Sequence, residues 1–174
     1  CPRWGVEGWF DDKRSSLINY RGWPYHHGVE TFGQVGGLMN MVFNRDPMIH
    51  SAVNFSGCGL PIEVKKSIAA EIWGGEEACD PDKNYTPMND AKANFTWWSI
   101  VTDVLHDSLT LCNWVWPMAM SPTKARDYRG DLDMEAKFYK AVTGEDVTTD
   151  ELYKRAAKIM TLQRAMTVRG MKDK

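Results

Sequence analysis

Apolar residues recur along most of this chain at intervals of three and four, the spacing of a helix face and not of a strand. Val64, Ile68 and Ile72 stand four apart, with Ala69 and Trp73 widening the stripe. The pattern predicts a helix opened by Gly59-Leu60-Pro61, proline in its first turn, and stopped by Gly74-Gly75. Thr86-Pro87 reads as cap and first helical residue of a longer run to about Leu105. On that run Ala91, Phe95, Trp98, Thr102 and Leu105 share a face, with Trp97, Val101 and Val104 beside them. Asp133 is placed to cap a helix through Val142, ended by Gly144. Thr148-Thr149-Asp150-Glu151 has the form of a capping box. It opens a last helix, to roughly Val168, with Leu152, Ala156, Ile159 and Met160 inward.

The first part of the chain is less regular. Val29 to Phe43 is compatible with a helix weakened by Gly33, Gly36 and Gly37, and Asn44-Arg45-Asp46-Pro47 breaks it. Residues 1–28 mix Gly, Pro and aromatics without a period and read as an irregular segment packing on the rest. Residues 76–86 form a polar, acidic loop, and no convincing alternating strand is present. The expected fold class is all-α, with a helical domain over 29–174.

Composition narrows the function. A chain of 174 residues suffices for one core, or one core plus a lobe. A net charge of -2 with acids and bases interspersed argues against a nucleic-acid or membrane footprint. No run approaches the ~18 apolar residues of a membrane span, and no signal segment opens the chain. The four cysteines (Cys1, Cys58, Cys79 and Cys112) include no C-x-x-C. Free thiols in a reducing, cytoplasmic compartment are therefore expected. Eight tryptophans and ten methionines suggest large buried or cofactor-facing surfaces. A start at Cys1-Pro2 without Met reads as a piece of a longer protein.

The stretch from His106 to Trp114 gathers the chemistry, an acid and a lone thiol at the end of a long helix. Cys112 has two readings, a buried structural residue or a thiolate ligand to iron or zinc. Cys58 and Cys79 show no ligand spacing with it and read as structural. Asp107 at a helix C-terminus is opposed by the helix dipole and needs a compensating partner. His106 beside it stabilises the helix end. His50, in a turn near Arg45 and Asp46, is either a proton shuttle or a structural histidine. His26 and His27 lack further ligand spacing.

Asp107-Ser108-Leu109-Thr110-Leu111-Cys112 resembles the second D-x-x-G-L-C motif of the aldehyde ferredoxin oxidoreductase family, the tungsten (sometimes molybdenum) bis-pyranopterin enzymes. Asn44-Arg45 followed by His50 resembles the family's N-R-G-x-x-H segment. Ala141 to Gly144, the Thr148 to Leu152 segment, and Leu162-Gln163-Arg164 through Arg169-Gly170 resemble its tail, in the same order. Thr110 stands where the family usually has glycine, and Asp46-Pro47 replace another glycine, putting His50 one residue further from Arg45.

The resemblance implies that Cys112 is the fourth cysteine ligand of a [4Fe-4S] cluster. It implies that Asp107 hydrogen-bonds a pterin, that the Leu111 backbone lines it, and that His50 is the catalytic acid/base or polarising residue. The family's C-x-x-C-x-x-x-C motif, first D-x-x-G motif and β-rich pterin domain are not in this sequence. The implied role is the C-terminal helical part of an enzyme that oxidises aldehydes to carboxylic acids. Electrons would pass through the cluster to a ferredoxin-like acceptor, with both cofactors held only in the full-length protein. The other partners implied are the N-terminal domain of the same protein, and a second copy or a small iron-sulfur subunit. Two alternatives stand beside this: a reductase of the same superfamily acting on an aromatic thioester, and a cofactor-free helical interaction domain.

Overall fold

The computed structural model describes residues 19–20, 23–24, 35, 38–39, 59–78, 86–112, 119–121 and 123–172. Within them the chain is mainly α-helical: α1 (Ile62–Trp73), α2 (Asp90–Leu109), α3 (Met134–Thr143) and α4 (Thr149–Lys172), with a short 3-10 turn at Lys124–Arg126. In the aromatic first segment, two-residue strands β1 (Asn19–Tyr20) and β2 (Trp23–Pro24) pair antiparallel, Asn19 opposite Pro24 and Tyr20 opposite Trp23. How residues 1–28 pack on the rest lies outside the described residues. So do most of the helix expected from Val29 to Phe43 and the acidic loop after Ala78. Val35, Leu38 and Met39 are helical, and Val35 and Met39 are buried in the core.

Pro61 precedes α1, its carbonyl accepting the Lys65 amide, because a proline has no N–H to lose at a helix start. Gly74 ends α1 at φ +88°, a left-handed conformation that only glycine adopts without cost. The next residue, Gly75, is a close approach: a Cβ there would stand 2.8 Å from the Cβ of Ala91. Trp73 then meets Phe95 edge-on at 4.6 Å and Trp98 at 5.1 Å, and this aromatic cluster joins α1 to α2.

α2 is the axis of the molecule. All residues from Ser99 to His106 are buried, so two turns of the helix are covered around their whole circumference. Its largest interface is with α4, where Leu152, Ala156 and Met160 join Phe95, Ile100, Val101, Val104 and Leu105 in one core cluster. Each such large apolar side chain contributes about 1.5–3 kcal/mol on burial. Thr102 opposite Tyr153, and Trp97 opposite Arg164, show that the two helices run antiparallel.

Four details differ from the sequence pattern. α2 begins at Asp90, not Pro87, because the Asn89 side chain accepts the Lys92 amide at 3.0 Å and caps the helix three residues later. Asp133 precedes α3 but does not cap it: its carboxylate accepts the Thr149 hydroxyl at 2.7 Å, tying α3 to the start of α4. Trp97 and Ile159 are exposed (49% and 39%), on the flanks of stripes whose centres alone meet the core. Finally, α2 and α4 run on to Leu109 and Lys172.

The capping box forms as its residues demand. The Glu151 amide donates to Thr148 Oγ1 at 3.2 Å, and the Thr148 amide donates to Glu151 Oε2 at 2.8 Å. Beyond Met160, α4 leaves the core, and Leu162 and Met166 are exposed.

Candidate functional site

The C-terminal end of α2 carries three of the four residues singled out from the sequence. Asp107 is exposed in the last turn, Leu111 is half-buried, and Cys112 is exposed with a free thiol. Cys112 is thus not among the buried residues of the described core. His50, with Cys58, Cys79, His26 and His27, lies outside the described residues.

The chain turns sharply between the acid and the thiol. Leu111 donates its amide to the His106 carbonyl at 2.9 Å, and Thr110 donates to the Asp107 carbonyl at 3.4 Å. These are the two bonds of a Schellman closure, and they satisfy carbonyls that the helix end would otherwise leave orphaned. Thr110 sits at the left-handed position of that closure, φ 57° and ψ 32°. This explains in physical terms why a glycine suits the fourth position of such a motif: the closure itself requires positive φ. A β-branched residue there carries a backbone cost of roughly 1–2 kcal/mol.

Behind the exposed end lies a buried polar seam. His106 is fully buried and its Nε2 is 3.1 Å from Oε1 of Glu135 on α3, itself 2% exposed. The two side chains hydrogen-bond each other away from solvent. One turn back, Thr102 Oγ1 is 3.1 Å from the Tyr153 hydroxyl of α4. Burial holds that hydroxyl well above the usual tyrosine value, the Glu135 carboxylate adds to the rise, and Tyr153 stays protonated. The sequence reading gave His106 a role at the helix end but missed its partner. Its signal was the four-residue spacing of Trp98, Thr102 and His106, which sets polar atoms along one stripe of a buried helix.

A concavity of about 560 Å³ lies between the first half of α2 and the last half of α4, lined by Trp97, Met160, Arg164 and Val168 among others. Trp97 is ten residues from Asp107, about 15 Å along the helix axis. The groove and the helix end are therefore separate features.

Among the described residues, no three His, Cys, Asp or Glu side chains are grouped to hold a metal ion. What the helix end offers is one thiol and one carboxylate five residues apart, both open to solvent. That donor set fits one side of a shared group: a single sulfur ligand to a cluster and a single acceptor for ring N–H groups. It does not suffice for a whole site. No helix among the described residues is long and apolar enough to cross a membrane.

Fold and helix end together define an α-helical domain with an exposed acid and an exposed thiol at one helix end. Residues 50–174 match the family model for aldehyde ferredoxin oxidoreductase, domains 2 & 3, and the chain belongs to the aldehyde ferredoxin oxidoreductase family. The match begins at His50 and contains the whole Asp107 to Cys112 stretch, while Asn44-Arg45 precedes it. No solved structure matches the chain.

Proposed function

We propose that this chain is the C-terminal helical part of a tungsten or molybdenum pterin enzyme that oxidises aldehydes to carboxylic acids. The single observation that carries the reading is the exposed Asp107 and Cys112 on either side of a closed helix end, inside the family match. Oxidation of an aldehyde takes an oxygen from water and releases two electrons and two protons. When bound, the pterin-held metal and a [4Fe-4S] cluster supply the electron path from substrate to a ferredoxin-like acceptor.

The residues of this chain have distinct tasks in that reading. Cys112 supplies one of four thiolates from a rigid helix end, where fixed geometry favours a defined cluster environment. The Asp107 carboxylate accepts hydrogen bonds from pterin ring N–H groups. The helix dipole opposes its charge, and such donors offset that cost. The Leu111 backbone would line the pterin. His50 accepts or delivers the proton at the substrate. The remaining thiolates, the second pterin contact and the β-rich domain come from other parts of the same protein.

The test is anaerobic expression of the full-length protein, with iron, tungsten, molybdenum and pterin measured, and aldehyde oxidation followed with a viologen acceptor. The reading expects close to four irons per cluster (about the [4Fe-4S] stoichiometry), one pterin-bound metal and aldehyde-dependent dye reduction. Protein that folds and lacks iron and pterin overturns it in favour of a cofactor-free helical domain. Cofactor-loaded protein that ignores aldehydes but reduces an aromatic thioester shifts it to the reductase.

A further inference from the structure

We infer that His106 and Glu135 form a positioning pair that sets the Asp107–Cys112 end of α2 in place. Its purpose rests on the cofactor reading above, while its geometry does not. The single residue His106 is held at both ends. Its ring, fully buried, reaches Glu135 of α3 at 3.1 Å, and its main-chain carbonyl receives the Leu111 amide at 2.9 Å. Only Asp107, Ser108, Leu109 and Thr110 lie between these two bonds, and Cys112 follows directly. A shift of α2 along or about its axis that displaced the thiol would therefore also strain the ring contact.

Stability alone does not account for such a pair. Replacing a buried polar pair by apolar side chains of similar volume is often neutral or stabilising, because both groups are stripped of water. What the pair supplies is direction: a hydrogen bond admits one rotation and one register, where an apolar contact tolerates a slide. The Thr102–Tyr153 contact one turn back repeats the device against α4. Two helices thus hold the rotation of α2 through polar contacts next to its exposed end. His106 and Glu135 are both buried, and they act through Leu111 and its neighbours.

Amide hydrogen exchange in the full-length protein tests this. His106→Leu is expected to speed exchange at Thr110 and Leu111 by about tenfold, the scale of losing a buried hydrogen bond. Ile100 and Val101 are expected to keep wild-type protection. Glu135→Gln, which still offers an oxygen to the ring, is expected to keep the wild-type pattern throughout. Unchanged exchange at Leu111, or equal acceleration along all of α2, overturns the inference and leaves the pair a general packing element. Should His106→Leu fail to fold, Glu135→Leu is read at the same amides by the same criteria. In the loaded enzyme, the His106→Leu cluster is expected to show a shifted midpoint potential and a broadened electron paramagnetic resonance signal; an unmoved signal counts against the pair. Loss of the cofactor assignment is separable: Cys112→Ala with an intact cluster removes that assignment, while the exchange response of Leu111 still decides the pair.

Discussion

The main-chain carbonyl of His106 accepts the amide of Leu111 at 2.9 Å, and the acid and the thiol of the motif stand on either side of that bond. The arrangement joins two properties that pull apart elsewhere in the chain. The end of α2 is open to solvent, yet the residue that closes it is buried to the last atom. An exposed functional group gains fixed geometry only from a support of this kind.

Thr110 occupies a left-handed position that glycine adopts freely. Thr110→Gly is expected to stabilise the protein by about 0.5–1 kcal/mol, the relief of backbone strain exceeding the added freedom of the unfolded chain. A urea titration reads this as a higher midpoint at unchanged slope. A lower midpoint would mean that Thr110 does not hold that conformation.

The depth of α4 in the core changes along its length. Leu152 is 2% exposed and Leu162 is 62% exposed. Leu152→Ala is expected to cost about 2–5 kcal/mol, and Leu162→Ala about 0.5 kcal/mol or less. Thermal or denaturant unfolding of the two variants checks the register, and comparable losses would place α4 differently against α2.

Much of this fold was legible because local chemistry and tertiary packing agree. Thr148 and Glu151 sit three apart before an apolar stripe, and the capping box forms as their spacing requires. Gly74 and Gly144 end their helices in left-handed conformations, again a local property. The start of α2 was not legible in this way: Thr86-Pro87 and Asn89-Asp90 are both good openings, and the competition was decided by Asn89 reaching the Lys92 amide. Nor could periodicity show that Trp97 and Ile159 face outward, since a stripe gives a direction but not the width of the neighbour that covers it. In the candidate site, the Asp107 to Cys112 stretch is contiguous and lies inside the family match. The His106–Glu135 pair was not, because its members are 29 positions apart and only the packing of α3 on α2 brings them together.

Glu151 gives a pH dependence with a definite sign. The Thr148 amide and hydroxyl hydrogen-bond its carboxylate and hold it below its ordinary value of 4.5. A depressed folded value means that the stabilisation is fully present above 4.5 and is lost as pH falls through the lower folded value. Helicity at the start of α4 is expected to fall in that acid window, followed by the chemical shifts of Thr149 and Asp150. Glu151→Gln should remove this step, and a variant with the same acid transition would contradict the assignment.

The proposed role of Cys112 as a cluster ligand is tested most directly by the electron paramagnetic resonance spectrum of the reduced, anaerobically purified full-length protein carrying Cys112→Ala. The expected result is that the [4Fe-4S] signal of the wild-type protein is lost and that bound iron falls with it, in a protein that remains folded. A variant with the wild-type signal and the wild-type iron content would contradict it.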